Sequence, residues 1–156
     1  MNPPQPLIVF ALDQWRYALR LAVVERITWV AEITPLPQAP GIIQGAINVQ
    51  GIIIPVVNVR RRFRLPEREV ALSDHLILAR TATRPVALIA DEVVGLLEQP
   101  QADIAAVDTI LPGMDYVAGV AKQEDGLILI HDLDAFLSLE EETTLDAALT
   151  RTGGAR

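Results

Sequence analysis

The chain repeats itself, and the repeat restricts it to folds built from two like halves. Sliding the 156-residue sequence by about 74 positions lays Ile43 on Val117, Gly45 on Gly119, Ile53 on Leu127, Asn58 on Asp132 and Val59 on Leu133. Each copy then reads glycine, strand, tight turn, apolar strand, Asn or Asp, short helix. A slide of about 69 aligns the earlier parts, with Ala18-Leu19 on Ala87-Leu88, Val24 on Val93 and Ile27 on Leu96. Neither half alone buries comfortable amounts of surface, so the two are expected to pack together.

Within each half the signals are mostly those of strands. Ile8–Leu12 is a short apolar run, and Tyr17, Leu19 and Leu21 alternate with Ala18 and Arg20, the period of a half-buried strand. Val23, Val24 and Ile27 fall at helical spacing and predict one or two turns of helix. Thr34–Gly41 carries Pro35, Pro37 and Pro40, which fix φ and remove donors, so it is read as an extended connector. Strand pairs follow at Gly45–Val49 with Ile52–Val59, at His75–Ala79 with Val86–Ala90, and at Tyr116–Ala121 with Leu127–Ile130. Pro55 predicts an edge strand or a bulge. A short amphipathic helix is expected around Leu133, Phe136 and Leu137, and a frayed polar end over Thr150–Arg156. Many short strands and little helix point to an all-β barrel or sandwich. The hydrophobic fraction is 51% with only 4% aromatic, so the core must be built from Val, Ile, Leu and Ala.

Composition also excludes partners. A net charge of −7 argues against nucleic acid, which needs a basic face to neutralise phosphate. The one basic cluster, Arg60-Arg61-Arg62 with Arg64, is read as the solvated face of a short helix or turn, with docking of an acidic protein as the other reading. The apolar runs fall far short of the roughly 20 residues that span a bilayer. With no signal-peptide pattern and no cysteine, the expected place is the cytoplasm, without direct membrane insertion.

Catalytic chemistry finds little support. Ser73-Asp74-His75 contains triad residue types, but consecutive residues entering a strand point in alternating directions and cannot converge. His131-Asp132 with Asp134 follows an apolar strand, and a strand-to-helix turn capped by Asp132 is the better reading than a metal site, since no short-spaced ligand pair is present. Asp91-Glu92 and Glu140-Glu141-Glu142 read as solvated turn and tail charges. No catalytic residue, metal or cofactor is assigned.

One stretch is more specific than a generic barrel. Thr34-Pro35-Leu36-Pro37-Gln38-Ala39-Pro40-Gly41-Ile42-Ile43-Gln44-Gly45-Ala46-Ile47-Asn48-Val49-Gln50-Gly51-Ile52-Ile53-Ile54-Pro55-Val56-Val57-Asn58-Val59-Arg60 resembles the CheW family signature, roughly T-P-L-P-x-x-P-x-x-I-x-G-hydrophobic-I-N-L-R-G-x-I-I-P-V-I-D-L-R. Tyr17-Ala18-Leu19 with Val24-Glu25-Arg26-Ile27 is similar to the family's Y-A-L…V-x-E-I. Ile89-Ala90-Asp91-Glu92-Val93 resembles its V-D-x-V, Tyr116-Val117-Ala118-Gly119-Val120 its Y-L-x-G, and Leu127-Ile128-Leu129-Ile130-His131-Asp132-Leu133 its closing L-I-L-L-x-D-L.

The resemblance implies two intertwined five-stranded SH3-like barrels with short helices over residues 7–139, an N-terminal arm at 1–6 and a polar tail at 140–156. It implies an adaptor without catalysis, associated with membrane-bound receptor arrays. Its partners would be the cytoplasmic tip of a methyl-accepting chemoreceptor and the regulatory domain of a CheA-type histidine kinase. Val24, Ile27, Gly45 and Val93 fall at the family's receptor-binding positions, with buried core as the other reading of the valines. Gln50, Gly51, Asn58 and Gly119 fall at a partner interface, with plain turn roles as the other reading of the glycines. Two departures stand out, because Gln50 replaces the family's Arg and Asn58 its Asp. If those two formed a pair in other members, both halves of it are missing here. The alternatives are a CheW-like competitor or array spacer that binds without activating, and, from another class, a small β-barrel enzyme or ligand carrier.

Overall fold

A computed structural model describes residues 4–100, 104–106, 117–123 and 126–151. The strands are β1 (Pro4–Leu12), β2 (Trp15–Arg20), β3 (Val24–Trp29), β4 (Ile43–Val49), β5 (Ile52–Val57), β6 (His75–Arg80), β7 (Pro85–Ala90), β8 (Glu92–Pro100), β9 (Ile104–Ala106), β10 (Val117–Gln123) and β11 (Gly126–His131). They form two sheets, ordered β3-β6-β7-β5-β4 and β8-β1-β2-β11-β10-β9. The expected five strands hold for the first sheet, and the short β9 adds a sixth to the second. Tyr116, expected to be a strand residue, and Glu124-Asp125, expected to turn the chain, lie outside the described residues.

The two copies exchange hairpins. β1–β2 joins β8–β11 of the second copy, and β6–β7 joins β3–β5 of the first. Each exchange is sealed by a short parallel ladder, Ala18 against Ile130 in one sheet and Ala87 against Val56 in the other. The ladders break at matching places too. One residue is extra at Gln44 and at Ala118, and again at Glu25 and at Val94. Each pair keeps the offset read in the sequence, so the repeat is a structural one.

The core follows the same symmetry. Leu7, Val9, Ala18, Ala121, Ile128 and Ile130 fill the six-stranded unit, and Leu76, Leu78, Ala87, Ile47, Ile54 and Val56 fill the five-stranded one. Between them lies a third cluster that takes residues from both, among them Phe10, Tyr17, Leu19, Ile43, Val57, Ile77 and Leu88. The barrels are therefore held by one shared apolar seam.

Four local expectations change. Val23, Val24 and Ile27 are not on a helix: Leu21–Val23 is one 3-10 turn and Val24 opens β3. The extra residue at Glu25 returns Val24 and Ile27 to one face of the strand at a spacing of three, which mimics helical period. Pro55 is not on an edge, since β5 lies between β7 and β4. It is tolerated because Ala46 opposite it spends both backbone groups on Thr34, and the parallel ladder starts only at Val56. Residues 4–6 are no free arm, because β1 pairs with β8 from Pro4 onward.

The tail assignment changes most. Leu139–Arg151 is a helix, α2, which buries Leu145 and Ala148 in the shared seam. Its start is a reciprocal cap, in which the Glu141 amide donates to Ser138 Oγ at 3.1 Å and the Ser138 amide donates to the Glu141 carboxylate at 2.9 Å. Glu141 also accepts from Arg62 at 2.8 and 2.9 Å, and Arg84 pairs with Glu142 and Asp146. Glu141 and Glu142 thus tie α2 down, while Glu140 is exposed as expected.

Candidate functional site

The chain crosses between sheets at two places. It leaves the six-stranded sheet through Leu21–Val23 and returns from the five-stranded one through Asp91 alone, the single residue between β7 and β8. Val24 is the first residue after one crossover, and Val93 the second after the other. Both are half-buried and pack on the shared seam, as does Ile27. β3 and β8 are the outer strands of their sheets, so each has one edge without a neighbouring strand. Farther along them, Trp29 is 64% exposed and Leu96, the repeat partner of Ile27, is 59% exposed. The structure thus brings Val24, Ile27 and Val93 to the seam, and adds Trp29 and Leu96, which sequence reasoning had not assigned. The repeat alignment already pointed to Leu96.

One crossover is braced by charge. Arg60, the second residue of α1 (Val59–Arg62), is buried and reaches Asp13 at 2.8 and 3.0 Å and Asp91 at 2.7 and 2.9 Å. Asp91 also accepts from the Asp13 amide at 2.7 Å and from Arg68 at 2.6 Å, and Arg68 continues to the buried Asp74. The Arg60 hydrogen bond holds the Asp13 carboxyl below the usual range. Burial pushes Asp91 upward, but the Asp13 amide and the two guanidinium groups outweigh it and hold its carboxyl low. The basic cluster is therefore divided, with Arg61 and Arg64 exposed and Arg60 and Arg62 turned inward. Arg60 and Arg62 are spent inside the fold, while Arg61 pairs with Glu67. The signal was present in the motifs: Arg60 closes the long signature and Asp91 is the acid of V-D-x-V.

The remaining candidates separate. Gln50 and Gly51 form the exposed two-residue β4–β5 turn, with φ of 52° and 86°. Such a turn needs positive φ at both positions, which suits glycine at the second. Asn58, nine-tenths buried at the far end of β5, accepts from the Arg61 amide at 3.0 Å and donates to Gln44 at 2.7 Å. Residues 50 and 58 are thus a whole strand apart, and a direct pair between them in relatives does not fit this backbone. Gly45 is buried, and a Cβ there would sit 2.5 Å from the Thr34 carbonyl oxygen, so its bareness serves the close approach of its own chain. Gly119 is likewise buried and pairs with Ala106 and Ile130.

The residues with catalytic side chains do not converge. Asp74 accepts from the Ala71 amide and from Arg68, while His75 lies against Trp29 with ring centroids 4.3 Å apart. Asp132 precedes a 3-10 turn (Leu133–Ala135) without capping it through its side chain. His131 is enclosed by Phe10, Tyr17, Phe63 and Phe136, and neither ring nitrogen has a hydrogen-bond partner among the described residues. Burial pushes it down to about 3, so the ring is neutral and sits where the first copy has Val57. Among the described residues no helix is long and apolar enough to cross a membrane.

Comparison with known proteins agrees with this architecture. The profile of the CheW-like domain matches residues 6–141. The chemotaxis protein CheW of Bacillus subtilis is 28% identical over 138 residues, covering 87% of this chain and 88% of the relative. That of Treponema pallidum is 24% identical over 86% of this chain and 83% of the relative. The crystal structure of the scaffolding protein TtCheW from Thermoanaerobacter tengcongensis superposes with a TM-score of 0.81 at 27% identity, covering 88% of this chain and 95% of that one.

Proposed function

The chain belongs to the family of CheW-like domains, and on that premise we propose that it joins the cytoplasmic tip of a chemoreceptor to the regulatory domain of a CheA-type histidine kinase. It is a non-enzymatic chemotaxis adaptor of the scaffolding class. The observation that supports the receptor side is the pair of half-buried valines, Val24 and Val93, each following a crossover and each resting on the seam shared by the two barrels. An apolar stripe on a helical hairpin suits such a groove, with Ile27 on the same face as Val24. The exposed turn at Gln50 and Gly51 is the better candidate for a second partner. Asn58 and Gly119 at that interface, and Gly45 on the receptor side, are engaged with their own chain and act through the backbone they hold. The neutral amide at exposed Gln50, where the family carries a guanidinium, favours as a second reading a member that binds without activating.

The test uses a soluble cytoplasmic receptor fragment and the CheA regulatory domain encoded in the same genome. Val24→Asp and Val93→Asp should each weaken receptor binding at least tenfold, about 1.4 kcal/mol, while circular dichroism stays that of the folded protein. Kinase-domain binding should be retained. Unfolding of both variants would return the valines to the core and remove the groove.

A further inference from the structure

The two crossovers are built differently, although the repeat makes them counterparts. Leu21–Val23 is a 3-10 turn with no buried residue and no side-chain cap. At Asp91 the backbone amide donates to the Ala11 carbonyl at 3.0 Å, and the carboxylate takes the Asp13 amide, Arg60 and Arg68. These groups come from both barrels: Asp13 from the β1–β2 turn of the six-stranded unit, Arg60 from the helix that follows β5, and Arg68 from the segment leading to β6. In the second copy the place of Arg60 is taken by Asp134, whose carboxylate accepts the Ala82 amide at 2.7 Å. That bond ties a hairpin turn to the opposite barrel as Arg60 does, but without a guanidinium fork between two carboxylates. Among the described residues the Asp91 crossover is held by a carboxylate–guanidinium network, and the Leu21–Val23 turn has no side-chain cap.

We propose that the Arg60–Asp91 clamp is a positioning device for the groove: it fixes the crossover two residues before Val93, and so sets the separation of the Val24 and Val93 walls that a helical partner must fit. This rests on the groove reading above. A planar guanidinium binding two carboxylates fixes direction as well as distance, which a single charge contact does not. Arg60 and Asp91 act through the valines without touching the partner.

The chain has no cysteine, so Arg80→Cys on β6 and Lys122→Cys on β10 place one spin label on each barrel for distance measurement. Arg60→Met should broaden the inter-label distance distribution and, in unlabelled protein, weaken binding of the soluble receptor fragment about tenfold. Arg60→Lys, which keeps the charge but loses the fork, should recover only part of either. Val24→Asp should lose binding while its distance distribution stays narrow. If Arg60→Met does not fold, Asp91→Asn, with the same shape and one less charge, provides the same comparison. An unchanged distribution in the folded variant, or a broadened one with unchanged affinity, overturns the positioning role. If instead Val24→Asp binds normally, the groove reading is what fails, and the distance data still report whether the clamp holds the barrels.

Discussion

His131 is the residue whose environment has the clearest consequence in solution. It occupies the shared seam, enclosed by aromatic rings and without a hydrogen-bond partner among the described residues, and burial holds it neutral down to about 3 against an ordinary 6.5. The unfolded chain takes up a proton as pH falls through 6.5, and the folded chain does not until about 3. The stability contribution is thus complete above 6.5 and is lost on acidification, at about 1.4 kcal/mol per pH unit. Asp13, Asp91 and Glu141 are held low as well and act in the same direction, but only below the ordinary carboxylate values of 3.8 and 4.5. Between pH 6.5 and 5 the slope therefore belongs to His131. Urea unfolding at pH 7, 6 and 5 should show falling stability in the wild type and a nearly flat profile in His131→Leu. Equal slopes in both would place the proton uptake elsewhere.

Among the elements, α2 shows most directly how ion pairs and apolar contact share the work. Its polar residues set where it begins and lies, through the Ser138–Glu141 cap and the Arg62 and Arg84 contacts. Leu145 and Ala148 supply the buried surface. Ser138→Ala should lower stability by about 1 kcal/mol, the usual cost of a lost cap. Leu145→Ala should cost roughly 2–4 kcal/mol, because a fully buried leucine leaves a cavity in the seam. Thermal melts of the two variants separate these contributions. A Leu145→Ala variant as stable as wild type would mean that α2 does not pack on the seam in solution.

For the whole molecule, the governing fact is the exchange of hairpins between the copies. No barrel is made from one continuous half, so neither half contains the partner strands for its own hairpin. Two fragments divided in the exposed loop between Glu69 and Val70 should each lack the native near-ultraviolet signal. Mixed, they should regain it with one cooperative unfolding transition. A fragment that alone shows the native signal and melts cooperatively as a monomer would contradict the exchange. The same connectivity explains why a scaffold of this size needs no large separate cores: the seam lets each unit complete the other.

The repeat, most of the strands and the family were legible in the order of residues alone. These rest on local patterns: glycine at a close approach, alternating apolar runs, a long gapless motif. That order also held the start of α2 in Ser138-x-x-Glu141, a capping signature that was overshadowed by the polar run after it. Tertiary structure decided the remainder, for two physical reasons. A β-bulge changes the spacing of residues on one face, so Val24 and Ile27 imitate a helix until their pairing partners on β6 are known. And a charged residue looks solvated until its counter-ions are placed. The partners of Arg60 lie 47 residues before and 31 residues after it in sequence. Only the crossing of the chain between barrels brings Asp13 and Asp91 to that guanidinium, and with it the clamp beside the groove.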